Sequence, residues 1–168
     1  YGRDEQDCLV LGSGGDVHLD EVDFRILSLL SKDARVSLLE MASIVGLTAN
    51  AVNYRIKKME KENVILGYRA SVNIRMLHLQ HLKVFLYIHA VSASKKNKIV
   101  EYLANTPEVT YITEAIGSAD IEFEVHMRNT TELFHYMKRL RSDFQNTVKD
   151  YDVVLIYEEH VLNYLPSV

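Results

Sequence analysis

Residues 38–68 read LLEMASIVGLTANAVNYRIKKMEKENVILGY. Two short helical patterns flank a glycine, and a compact apolar hairpin signal follows. In the first pattern Leu38, Leu39, Met41, Ala42, Ile44 and Val45 supply an apolar face. Gly46 can take φ > 0 and stop that helix. Thr48 then offers a hydroxyl cap to a second helix. There Val52, Ile56 and Met59 recur at helical spacing and face inward. The face left outside holds Asn50, Asn53, Tyr54, Lys57, Lys58 and Lys61. Asn can read adenine bidentately in a major groove, and Lys neutralises phosphates. That is what a helix-turn-helix recognition helix presents. A Lys/Asn face taken alone is ordinarily solvated surface, so the weight falls on the whole stretch and its surroundings.

Working outward, residues 19–31 form a first helix. Asp20 is an acceptable cap, with Asp23 in the capping-box position usually held by Glu or Gln. Ile26, Leu27 and Leu30 give its buried stripe. Asp33-Ala34-Arg35 is a turn. Ser37 caps the next helix with Glu40 at N3, a capping box. After the recognition helix, residues 64–72 read as two short strands, a wing on which Arg69 could reach a phosphate. Arg55 lies beside the buried stripe, and a structural pairing with Glu60 or Asp33 comes before any DNA role.

The stretch 19–73 resembles the N-terminal domain of the Lrp/AsnC (feast/famine) transcription regulators. The matching residues are Leu19, Asp20, Asp23, Ile26, Leu27, Leu30, Asp33, Ala34, Arg35, Ala42, Val45, Gly46, Leu47, Val52, Arg55, Ile56, Glu60, Ile65, Gly67 and Tyr68, in the family's spacing without a gap. The resemblance implies a winged helix-turn-helix that binds double-stranded DNA, as a cytoplasmic protein.

The chain has 168 residues, 48% of them hydrophobic. That suits one domain or two small ones and argues against disorder. No window is apolar enough for a membrane span. Cys8 is the only cysteine, which fits a reducing compartment. The net charge of −4 is unevenly spread. Within 48–61, Arg55, Lys57, Lys58 and Lys61 stand against Glu60 alone, a local +3. Local charge decides a phosphate contact. Residues 1–16, ending in a Gly/Ser run, read as a flexible leader or the remnant of a removed piece.

Residues 17–75 are thus the DNA-binding domain, and 76–82 read as a hinge. From Lys83 the period changes to alternation. KVFLYIHAV is a strand; Ser92 or Ser94 opens a helix that Pro107 ends. Two strands, 109–116 and 121–127, close a hairpin at Gly117-Ser118-Ala119-Asp120. Thr130 or Thr131 caps a further helix, and 148–157 is a last strand. The order β-α-β-β-α-β is ferredoxin-like. The whole is therefore α+β: a winged helix-turn-helix followed by a ferredoxin-like domain over 83–168. A four-stranded sheet with helices on one face leaves the other open. Phe85, Tyr87 and Ile112 are the candidates for it, and burying so apolar a patch favours an oligomer.

This half resembles, on element order, length and that turn, the effector-binding and oligomerising domain of the same family. The resemblance implies homodimers assembling into octamers or similar rings, and a small-molecule effector, often an amino acid, near the turn between the second and third strands. Gly117, Ser118 and Asp120 are the matching positions, with Thr113 and Glu114 beside them. Ser118 stands where family members often carry an acid. The plainer reading is that Gly117 makes the hairpin and Asp120 caps it.

Catalytic signatures are missing. Seven histidines form no Cys/His ligand cluster, and there is no H-E-x-x-H, G-x-S-x-G, P-loop or G-x-G-x-x-G. No metal or cofactor is expected. Glu122 and Glu124 share one side of a strand, ordinarily the wet or interface face. Two other readings stay open. Siroheme decarboxylases share the layout, though with an Arg-rich wing in place of Leu66-Gly67-Tyr68. A ligand-sensing assembly protein without DNA binding is the third.

Overall fold

The computed structural model describes residues 16–90, 92–117, 119–160 and 164–165. Two compact units emerge, with the break at Ser71/Val72.

The first unit carries three helices: α1 (Glu21–Lys32), α2 (Leu38–Val45) and α3 (Ala49–Lys61). Asp20 caps α1 by a reciprocal pair. Its carboxylate accepts from the Asp23 N–H at 2.9 Å, and the Asp23 carboxylate accepts from the Asp20 N–H at 3.2 Å. Aspartate therefore does the work of the usual glutamate. Half of the second box forms: Ser37 Oγ accepts from the Glu40 N–H at 3.1 Å. The return bond to Glu40 is missing among the described residues. Gly46 ends α2 at φ 73°, where a Cβ would crowd the backbone. Thr48 Oγ1 accepts from the Ala51 N–H at 3.2 Å to start α3.

The core of this unit is Ile26, Met41, Ala42, Val45, Val52, Ile56 and Met59. Leu38, Leu39 and Ile44, expected inward, are exposed. At 3.6 residues per turn Met41, Ala42 and Val45 share one arc, and Leu39 and Ile44 fall to either flank of it. Leu38 is in phase but sits at the helix's first residue. Arg25 Nη2 donates to the Ile44 carbonyl at 2.7 Å, satisfying one of the carbonyls that a helix end leaves open.

Beyond α3 the Val64 and Ile65 N–H groups both donate to the Met59 carbonyl. The two short strands expected over 64–72 do not form; the wing is an irregular arm, exposed from Leu66 onward. A lone two-stranded hairpin is marginal without a surface to pack on, and only Val64 and Ile65 are drawn against the core.

The second unit begins with a 3-10 turn, Ile74–Leu77, followed by β1 (Gln80–Ile88), α4 (Ala93–Ala104), β2 (Val109–Thr113), β3 (Ile121–Met127), α5 (Thr130–Asp143) and β4 (Val148–Ile156). Residues 76–82 are thus no separate hinge: they finish the 3-10 turn and open β1. The sheet runs β2-β3-β1-β4, all antiparallel, the ferredoxin-like arrangement. Asn129, not Thr130 or Thr131, caps α5, accepting from the Glu132 N–H at 3.0 Å. Leu82, Val84 and Leu86 of β1 and Ile121, Phe123, Val125 and Met127 of β3 meet Ile99 and Leu103 of α4 and Leu133, Tyr136, Met137 and Leu140 of α5.

Ile112 belongs to that core side, not to the open face. A bulge between Val109 and Tyr111 inserts one extra residue, so strict alternation counted from Val109 names the wrong side. Tyr111 takes the outer side instead, paired with Glu124. Nor is the open face simply apolar. Lys83 Nζ lies 2.8 Å from Glu122 Oε2, His81 Nε2 lies 2.9 Å from Glu124 Oε2, and the Tyr87 hydroxyl donates to Asp152 at 3.0 Å. Half-buried Phe85 and Tyr87 stand among these charges.

Candidate nucleic-acid interface and effector turn

The outer side of α3 is built by phase. Val52, Ile56 and Met59 are buried. Opposite them Asn50, Asn53, Tyr54, Lys57 and Lys61 fall within roughly 100° of arc, and all are exposed. Lys58 stands at the margin of that arc. Tyr54 leaves 71% of its surface open. Thr48 is exposed but committed to its cap, and exposed Arg69 lies on the irregular arm. The seven other DNA candidates thus run along α3 from its cap to its last residue, five of them on one face; Arg69 is not held there by any contact in the described residues.

Arg55 sits at the seam between this face and the core. Its Nη1 reaches Asp23 at 2.7 Å and Asp20 at 2.8 Å. The structural pairing expected from the sequence is present, but the partners are the α1 capping acids, not Glu60 or Asp33. One guanidinium therefore ties α3 to the capping box of α1. The Asp20 carboxyl is held below its usual value, first by the Asp23 N–H and then by Arg55.

Glu60 has other partners. Lys57 Nζ lies 2.9 Å from Oε2, and the Tyr68 hydroxyl donates to Oε1 at 3.0 Å. Lys57 first, then Tyr68, hold the Glu60 carboxyl below its ordinary range. Lys58 lies 4.0 Å from Glu62. Lys61 has no ion pair among the described residues.

The turn after β2 is less assembled. Asp120 Oδ2 accepts from the Ile88 N–H at 2.8 Å, and the Asp120 N–H donates to the Leu86 carbonyl at 3.1 Å. Glu114 lies 2.6 Å from Lys96 Nζ. Thr113 and Gly117 are exposed. A Cβ on Gly117 would meet open space. Ser118 lies outside the described residues. No hydrogen bond among the described residues joins these positions to one another. Among the described residues, no group of three or more His, Cys, Asp or Glu could hold a metal ion, and no helix is long and apolar enough to cross a membrane.

Residues 19–65 match the model of a winged helix-turn-helix DNA-binding family. The solved AsnC family transcriptional regulator of Agrobacterium tumefaciens shares the fold, with a TM-score of 0.78 at 22% identity over 88% of this chain and 97% of that one. The HTH-type transcriptional regulator FL11 of Pyrococcus furiosus is 30% identical over 124 residues, 74% of this chain and 81% of FL11. This chain belongs to the Lrp/AsnC family of transcriptional regulators. A transcriptional regulator of Neisseria meningitidis, solved as a complex with L-Met, has the same fold at TM-score 0.78 and 18% identity over 89% of this chain and 97% of that one. Membership in the Lrp/AsnC regulators leaves the decarboxylase reading without support. Within this Lrp/AsnC chain, sequence reasoning missed that Glu60 binds both Lys57 and Tyr68. The i, i+3 spacing of Lys57 and Glu60 was the available signal.

Proposed function

We propose that this regulator reads duplex DNA with the outer face of α3, and that its second unit assembles copies of the chain and senses a small molecule, an amino acid being the favoured class. The observation that carries the DNA reading is the opposition on α3 of a buried Val52/Ile56/Met59 stripe to an exposed Asn50/Asn53/Tyr54/Lys57/Lys61 face. Short amides at the N-terminal end can enter a groove and contact base edges. Lysines further along reach phosphates, which adds affinity without sequence information.

The open sheet face supports the assembly reading. It carries fixed ion pairs around half-buried aromatic rings, a surface that can pair with a copy of itself about a two-fold axis. Two reading heads held at a fixed spacing call for a roughly palindromic site. The amino acid reading draws on the L-Met complex of the Neisseria protein and on the turn Gly117–Asp120.

The test is selection of bound duplexes from random DNA, followed by Asn53→Ala. One bidentate base contact contributes about 1–3 kcal/mol. The variant should lose roughly 5- to 150-fold on the selected site and keep its affinity for random duplex. Equal losses on both would remove base reading from Asn53.

A further inference from the structure

Three lysines of α3 are candidates for phosphate contact, and they are not equivalent. Lys61 has no ion pair among the described residues, and Lys58 lies 4.0 Å from its acid. Lys57 is held at 2.9 Å by Glu60, whose second oxygen is held in turn by Tyr68. By helical phase Glu60 sits next to Asn53 at the flank of the exposed arc. Its side chain is 30% exposed. A carboxylate is thus fixed at the border of the exposed arc, whose own charges are Lys57 and Lys61, and it is fixed from two sides.

We infer that Glu60 is a charge brake on sequence-independent DNA binding: it occupies Lys57 in the free protein and must release it before Lys57 can meet a phosphate. The inference rests on the DNA-binding reading above. Sequence-independent affinity comes from the count of phosphates neutralised. A lysine already neutralised by its own chain adds little to that count. Tyr68 gives the brake its stiffness, since the hydroxyl holds Oε1 and leaves Oε2 aimed at Lys57. The brake is useful because a regulator competes against a vast excess of random sites.

Glu60→Gln is the decisive variant. The amide keeps an oxygen for the Tyr68 hydroxyl and drops the charge, so the arm stays placed while Lys57 is released. One additional phosphate contact steepens the salt dependence by about 0.9 in log–log slope, and at about 0.1 M salt it tightens binding roughly 8-fold. Glu60→Gln should show both on random duplex. The gain should vanish when Lys57→Gln is added, since it works through that lysine. Tyr68→Phe leaves the ion pair in place and should bring no comparable gain. An unchanged slope and affinity in a folded Glu60→Gln protein overturns the inference. So does a gain that survives Lys57→Gln, which would mean plain repulsion between Glu60 and DNA. If the parent chain binds no duplex even at low salt, the DNA-binding reading fails first, and the brake with it.

Discussion

At the scale of the residue, Arg55 shows how one side chain joins two helices. It bridges Asp20 and Asp23 across 35 and 32 positions of sequence, and Asp23 is only 5% exposed. Truncation leaves a buried carboxylate without its cation, a loss of about 1–3 kcal/mol. Arg55→Ala should lower the denaturant midpoint of the N-terminal unit accordingly. Arg55→Lys should recover only part of it, for an ammonium cannot serve two carboxylates as a guanidinium does. The α1 cap itself has a pH signature, set first by the Asp23 N–H and then by Arg55. The folded Asp20 carboxyl lies below its ordinary 3.8. Its contribution is therefore complete above that value and is lost as pH falls through the depressed folded value. Acid titration of unfolding should show this step in the parent and lack it in Asp20→Asn. That Arg55 was structural could be read from its place beside the Val52/Ile56/Met59 stripe. Its partners could not, because the spacing within α3 says nothing about which acids α1 brings near.

At the scale of the element, legibility followed the regularity of the period. The three helices of the first unit and both of the second announce themselves by 3.6-residue spacing, and the buried stripe of α3 was readable to the residue, whereas the cap of α5 fell on Asn129 and three apolar residues of α2 turned outward. Where a single local departure intervenes, the pattern misleads. The bulge in β2 moved Ile112 across the sheet, and the arm after Ile65 found no packing surface and stayed irregular. The turn after β2 is a third case. The glycine suggested a required conformation, yet Gly117 has open space where a Cβ would go, and Asp120 is already engaged with β1. Gly117→Ala should therefore leave the melting temperature unchanged. Calorimetric titration with the twenty amino acids, repeated on Asp120→Ala, tests the turn as a binding site. An amino acid that binds the parent and is lost on Asp120→Ala assigns the turn. Equal binding by both places the effector elsewhere.

At the scale of the whole molecule, the charge is divided by task. The chain carries −4 overall, yet α3 keeps its positive charge on the outside while the open sheet face is knit from Lys83, Glu122, Glu124 and His81. Ion pairs that are half-buried already lose less on further desolvation than bare charges would. Their fixed geometry also favours one registration of a partner over others. Light scattering at micromolar concentration should therefore report a dimer or a multiple of it. A mass near the single chain's 19.3 kDa would overturn assembly through this face. Fold class and element order were legible at this scale because they depend on many residues at once; the ionic character of the face was not, because it depends on which strands become neighbours.

One feature of the sheet bears on handling. Among the described residues β4 has β1 as its sole neighbour in the four-strand order, so along its nine residues the other edge has no strand partner there. Lys149, Asp150 and Asp152 guard its first half with charge. In the second half Val153, Val154 and Leu155 follow one another, all exposed. Such an edge templates further strands. Concentrated stocks are then expected to cloud through this edge, and turbidity of the parent against a Val154→Lys variant checks it.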